Sequence, residues 1–272
     1  MSEIEINKDF YSIVDQILYS KKSLARFGDS EIRLMLGVDP KDYQQPSPEL
    51  SKRLKEVIKC NSDNILIGIN GTFKGYSTEP YVARRYWASF IRIYLDSFYR
   101  ELNSNVTYVD SSFTRLYVRR NIKNVNTKFQ YIKKIWNNRD IVFIEGQYSR
   151  LGVGNDLFDN ANSIQRILCP EKNAFNFYKE ILNQSSSLPS SKLIIIALGA
   201  TATVLAYDLS KLGYQALDLG HLDLEYEWFR LKSKDAVQIP GKYTNEAKVK
   251  SDNFEELMDE NYLKSIIAKI GI

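Results

Sequence analysis

A short string near the start of the chain, Ala25-Arg26-Phe27-Gly28-Asp29-Ser30-Glu31, carries an arginine, a glycine and two carboxylates. In extended backbone, side chains at i and i+2 point the same way. Asp29 and Glu31 could therefore present oxygens to one hard cation. Arg26 would share a face with Gly28, where a ligand can approach the backbone closely. The same string also reads as a strand end followed by a helix with Asp29 as its N-cap. A second candidate is Gly220-His221-Leu222-Asp223-Leu224-Glu225-Tyr226. His221 is the chain's single histidine, and imidazole serves as a metal ligand or as a general acid or base. Asp223 and Glu225 follow it at alternating positions.

Two further strings could meet an anion. In Gly146–Leu157, the amides of Gly152 and Gly154 could turn inward on a phosphate, with Arg150 adding charge. Asn155 and Asp156 could bond a ribose or coordinate a metal, or Asp156 could cap a helix. In Gly199-Ala200-Thr201-Ala202-Thr203, a glycine turn leads from an apolar run into a helix with hydroxyls at its start. Free amides there suit a phosphate, and Thr201 also fits an N-cap. The string lacks both the full GxGxxG pattern and the lysine of a P-loop. Asn70-Gly71 reads as a turn or as a contact to a base or sugar. Arg115–Arg120 is basic and aromatic, fitting a phosphate, an acceptor or a solvated helix face.

These strings need a frame that brings them together. Strands are expected at Ser23–Phe27, Ile65–Asn70, Val106–Val109, Ile141–Glu145, Leu193–Leu198 and Gln215–Leu219. Helices are expected near Phe10–Tyr19, Pro48–Lys59, Glu79–Leu102, Lys128–Trp136, Ala174–Leu182 and Thr201–Leu212. Strands alternating with helices of that length predict an α/β fold with a mostly parallel sheet flanked by helices. In such sheets ligands sit beyond the carboxyl ends of the strands, which is where the four strings fall. The aromatics of Glu79–Leu102 recur at helical spacing and read as core. From about Lys232 the chain becomes more polar. It is expected to close in a charged helix over Asn253–Ile270.

Composition narrows the function classes. The 272 residues, 44% hydrophobic and 26% charged, are those of an ordinary globular protein with room for a large core. A net charge of +4, with basic residues scattered, gives no footprint for nucleic acid. Two cysteines, Cys60 and Cys169, make no disulfide framework and point to a reducing compartment. The polar start is no secretory signal, and no apolar run is long enough to span a membrane.

Taken in order, Arg26-Phe27-Gly28-Asp29-x-Glu31, Glu145-Gly146, Gly152-Val-Gly154-Asn155-Asp156-Leu-Phe158, Arg166-Ile-x-Cys169-Pro170 and Gly220-His221-Leu-Asp223-x-Glu225-Tyr226-x-Trp228 resemble the bacterial GT-D-type glycosyltransferase domain. The resemblance covers Leu24 to Trp228. It implies a Rossmann-like domain that takes a UDP-sugar donor with Mn2+ or Mg2+, its DxE motif falling on Asp29 and Glu31. It implies transfer of a hexose, glucose the expected case, to a glycan on a bacterial surface glycoprotein, inside the cytoplasm before export. Glu31 and His221 are then the expected metal ligands, with Asp29 a ligand or a partner of one. Arg26, Phe27, Gly28, Arg150, Gly152, Gly154, Asn155 and Thr201 are expected around the donor. Asp156, Asp223 or Glu225 would take the acceptor's proton. One domain is expected over 1–272, with a core over about 9–231 and a polar extension over 232–272. Such domains are often one module of a longer enzyme that carries another glycosyltransferase module. Two alternatives remain: an S-adenosylmethionine-dependent methyltransferase using Leu193–Leu212 and Asp218, and a non-catalytic nucleotide-binding module.

Overall fold

The computed structural model describes residues 4–41, 43–77, 79–118, 120, 122–247, 254 and 257–272. In chain order the elements are β1 (Glu5–Asn7), α1 (Phe10–Leu18), β2 (Ser23–Arg26), α2 (Asp29–Met35), α3 (Pro48–Ile58), β3 (Ile65–Ile69), α4 (Tyr81–Tyr99) and β4 (Thr107–Asp110). There follow α5 (Val125–Ile132), β5 (Asp140–Gly146), β6 (Ser163–Cys169), α6 (Tyr178–Ser186), β7 (Leu193–Ala197), α7 (Ala200–Lys211), β8 (Gln215–Asp218), α8 (Leu222–Arg230), α9 (Glu260–Ser265) and β9 (Ile266–Lys269). Short 3-10 turns at Gly71–Lys74 and Ser111–Thr114 end β3 and β4.

The strands form one nine-stranded sheet in the order β1-β4-β3-β2-β8-β7-β5-β6-β9. Every pairing is parallel. All strands therefore release their chains at the same edge. The central strands are apolar on both faces, as parallel sheets covered by helices require. Val142, Ile144, Ile194 and Ile196 pack into one buried cluster. Their neighbours Ile141, Phe143, Leu193 and Ile195 pack into another on the opposite face. The expected α/β class and all six expected strands are present.

Three strands depart from expectation. β1 has only three residues, too few for a period to show. β6 is broken in sequence by Gln165 and Arg166, which hide its apolar character. The helix expected over Asn253–Ile270 is reduced, within the described residues, to α9; β9 then pairs beside β6 as an edge strand. The sheet thus uses chain on both sides of the 9–231 core drawn from sequence.

Arg166 shows why a charge can sit inside this sheet. Its guanidinium pairs with buried Glu145 on β5 and donates to the Leu151 carbonyl at 2.8 Å. Its Nε reaches Ser265 of α9 at 3.1 Å, and Tyr262 and Phe143 lie against its charge. The second Glu145 oxygen accepts the Leu151 amide at 2.7 Å. Strand, loop and C-terminal helix thus share one satisfied polar knot. Removing one partner leaves the other charged and dry. Arg166→Leu is expected to cost about 3–5 kcal/mol of unfolding free energy. Chemical denaturation monitored by circular dichroism reads this directly, and a loss below about 1 kcal/mol would contradict the knot's role.

Candidate functional site

A cleft of about 610 Å³ opens at the carboxyl edge of the sheet. β2, β8, β7, β5, β3 and β4 all deliver residues to it: Gly28 and Asp29 after β2, His221 after β8, Gly199 after β7, Ser149 after β5, Asn70 after β3 and Ser111 after β4. The volume lies in the range of ordinary ligand pockets.

Of the two geometries the first string allows, the structure takes the strand end followed by a helix, with Gly28 rather than Asp29 as the cap. β2 stops at Arg26, Gly28 is the N-cap, and Asp29 opens α2. A helix turns about 100° per residue, so i and i+2 do not share a face. Asp29 turns toward α4, where the Tyr86 hydroxyl donates to it. Glu31 turns back and accepts the Gly28 amide at 2.8 Å. Both still line the cleft, together with His221. Burial and the Asp218 charge raise the Glu31 carboxyl to about 7, against the Gly28 amide.

His221 stands just ahead of α8. Burial lowers it to about 4, helped by the Arg115 and Arg26 charges and opposed by Glu246 and Asp29. The ring is therefore neutral at neutral pH. Arg115 Nη2 lies 3.2 Å from Nδ1. A guanidinium has only donors, so Nδ1 accepts and the proton sits on Nε2. Nε2 lies 3.1 Å from the Tyr43 hydroxyl and 3.2 Å from Glu246 Oε1.

Several expected ligand residues turn out to hold the frame. Arg26 Nε donates to the Asp218 carbonyl at 2.6 Å and Nη2 to the Asp218 carboxylate at 3.0 Å. Its Nη1 reaches the Ser111 carbonyl and the Thr114 hydroxyl. Phe27 is fully buried. Arg150 is buried and donates to the Gly241 carbonyl at 2.9 Å. Asn155 donates to Asp223 at 2.8 Å and to Glu227 at 2.7 Å. The Gly152 amide also donates to Asp223, and the Gly154 carbonyl accepts from Arg230. Thr201 is fully buried in the first turn of α7, away from the cleft lining.

The candidate bases separate as well. Asp156 lies off the cleft, held by Tyr226 and Lys133. Asp223 reaches the cleft but is paired to buried Lys242 at 2.6 Å. Glu225 also reaches it and accepts the amides of Tyr117 and Val118. The methyltransferase alternative needs Asp218 free for a nucleoside, and Arg26 occupies it.

Residues that the motifs did not single out complete the cleft: Tyr43, Tyr86, Trp87, Glu246 and Tyr243. Arg115 joins them, taken from a string left open between anion site and solvated face; Arg119 lies outside the described residues. The aromatic helix α4 has a double use: Phe90 and Phe98 are core, whereas Tyr86 and Trp87 also wall the cleft. Among the described residues, no group of three or more His, Cys, Asp or Glu side chains is placed to hold a metal ion by itself. The donors facing the cleft are carboxylate oxygens and one neutral imidazole. That set fits Mn2+ or Mg2+ when diphosphate oxygens and water supply the other positions.

The model of a family described as the glycosyltransferase GT-D fold matches residues 24–247. Glycosyltransferase GlyD of Streptococcus pneumoniae is 38% identical over 259 residues, covering 94% of this chain and 31% of that protein. Probable glycosyl transferase Gly of Streptococcus gordonii is 35% identical over 260 residues, covering 95% of this chain and 38% of that protein. The chain thus spans about a third of the length of these curated relatives. A solved domain of unknown function 1792, described as having a distinct glycosyltransferase fold, superposes with a TM-score of 0.91 at 34% identity, over 99% of this chain and 97% of that one. A glycosyltransferase from Streptococcus sanguinis superposes with a TM-score of 0.90 at 32% identity, over 98% of this chain and 99% of that one.

Gly220 shows how tightly the frame is set. Its φ is +51°, and a Cβ there would lie 2.0 Å from Arg26 Nη2. Gly220→Ala is expected to cost about 2–3 kcal/mol, from backbone strain plus displacement of the Arg26 clamp. A melting curve matching the parent's would refute that account.

Proposed function

Because the chain belongs to the GT-D glycosyltransferase family, we propose that it transfers a hexose, glucose the expected case, from a UDP-sugar to a glycan on a bacterial surface glycoprotein, with Mn2+ or Mg2+. The observation that supports this reading is that Asp29, Glu31 and His221 all line one cleft. Asp29 and Glu31 lie in the first turn of α2, just after β2, and His221 lies just after β8, the neighbouring strand in the sheet. Glu31 and His221 would hold the cation, and Asp29 would be a further ligand or orient one. A divalent ion there would act as a Lewis acid toward the leaving diphosphate.

The chain's own residues would do the rest. Burial keeps the His221 ring neutral, and it would offer a nitrogen to the cation once Arg115 at Nδ1 gives way, or Glu246 at Nε2 with the ring proton shifted to Nδ1. Tyr86 orients Asp29 through its hydroxyl. Trp87 and Val82 shield one wall from water. Of the three acids expected to serve as base, Asp156 is set aside by its position and Asp223 by its ion pair with Lys242. Glu225 keeps a raised carboxyl, chiefly through burial, which suits proton uptake. The free cysteines fit a cytoplasmic setting. No described helix is long and apolar enough to cross a membrane. Another glycosyltransferase module is the partner we propose for a chain that spans about a third of its curated relatives.

Isothermal titration with UDP and Mn2+ tests the site. Glu31→Ala is expected to weaken UDP binding at least tenfold and to remove its dependence on the metal. Equal affinity in Glu31→Ala and the parent would defeat the assignment.

A further inference from the structure

We propose that Arg115 is the guanidinium that receives the donor's diphosphate, and that the Glu246 carboxylate occupies its place until the donor arrives. This rests on reading the cleft as a nucleotide-sugar site. Sequence reasoning put that duty on Arg26 and Arg150, and both are committed elsewhere. Arg26 is saturated by Asp218, Ser111 and Thr114. Arg150 turns to the Gly241 carbonyl. Arg120, on the cleft wall, is held by Glu79 at 2.9 Å and Ser112 at 2.7 Å. Arg115 lies 3.6 Å from buried Glu225 through Nη1, while its Nη2 touches His221, the side where a metal-bridged diphosphate would lie.

What faces Arg115 and His221 together is a carboxylate. Glu246 Oε1 lies 2.8 Å from Arg115 Nη2 and 3.2 Å from His221 Nε2. Carboxylate and phosphate oxygens meet a guanidinium in the same planar, charge-assisted way. Glu246 thus makes the contacts a phosphate would make. Its second oxygen is buried without a hydrogen-bond partner among the described residues.

The segment carrying Glu246 is anchored on both sides of it, with Ala247 buried, so only the Glu246 side chain has to move. Lys242 is buried against Asp223 and Glu227, at 2.6 and 3.0 Å. The Tyr243 amide donates to the Tyr148 carbonyl at 2.8 Å, and Thr244 bonds back to Lys242. Glu246 lies two residues beyond that anchor. It can swing out while the anchor stays, releasing both Arg115 and a ring nitrogen of His221. Arg115 then exchanges one anion for another and never stands unpaired.

The experiment titrates two probes: UDP with Mg2+, and inorganic pyrophosphate without metal. Glu246→Gln and Glu246→Ala are expected to bind both about fivefold tighter, the worth of one partly exposed ion pair. Arg115→Lys is expected to bind both about tenfold more weakly, and to abolish the gain from Glu246→Gln in the double variant. Circular dichroism verifies that each variant is folded. Unchanged or weaker binding by both Glu246 variants overturns the proposal, and weaker binding would make Glu246 a ligand instead. The pyrophosphate series involves neither sugar nor metal. It can therefore fail while the Glu31 test succeeds, or succeed while that test fails.

Discussion

The cleft depends on one buried ion pair at the seam of the sheet. Arg26 at the end of β2 and Asp218 at the end of β8 lie 3.0 Å apart and almost out of water. The two strands share few ladder contacts, with Leu24 opposite Leu217 as the registered pair. The guanidinium compensates by spanning the seam: four hydrogen bonds from its rigid fork tie β8 and the turn after β4 to β2. Desolvation makes such a pair costly in isolation, so its value here is geometric. It fixes where the chain leaves β2 and β8, and the turns there lead directly to Asp29 and Glu31 at the start of α2 and to His221 ahead of α8.

Acidity is arranged with the same economy. Asp223, Glu227, Asn155 and Lys242 form one network under the cleft, joining the glycine loop after β5, helix α8 and the segment after it. Glu145 and Arg166 do the same one layer further along the sheet. Residues that look chemical in sequence are therefore divided. One group fixes loops to strands, and a smaller one faces the ligand space. Buried carboxylates of the first group are satisfied by amides and cations, which withdraws them from proton transfer. Glu31 and His221 are pushed toward their neutral forms by burial, a state in which each is poised to gain a cation or lose a proton.

Much of the frame was legible because period and composition agree in the central strands. Leu193–Leu198 is apolar at every position, and Ile141–Glu145 is apolar up to its last residue, as a strand covered on both faces needs. The loops after them were correctly expected at one edge, since parallel connections leave no other arrangement. Illegible parts have specific causes. β6 carries a charge whose partner, Glu145, lies on the neighbouring strand, 21 residues away in sequence. The start of α2 is ambiguous in sequence, extended or helical with Asp29 as cap, because the helix starts on glycine and Glu31 rather than a side chain at Gly28 closes the first turn. α8 hid because Asp223, Glu225 and Glu227 are buried, reversing the usual polar face.

The division between frame and site also explains why sequence motifs overstate the ligand set. Arg26, Asn155, Asp223 and Arg166 are distinctive in type and spacing, yet each binds another part of the chain. A buried charge can be exchanged only together with its partner, which ties such residues to the fold as firmly as any catalytic need. Contacts to a diphosphate are less demanding in position, because a guanidinium on a loop can swing to meet it. Arg115 and Glu246 follow that logic: they come from segments far apart in sequence and meet only at His221. Their pairing is invisible to any short motif, and it lies where a negatively charged leaving group needs a cation most.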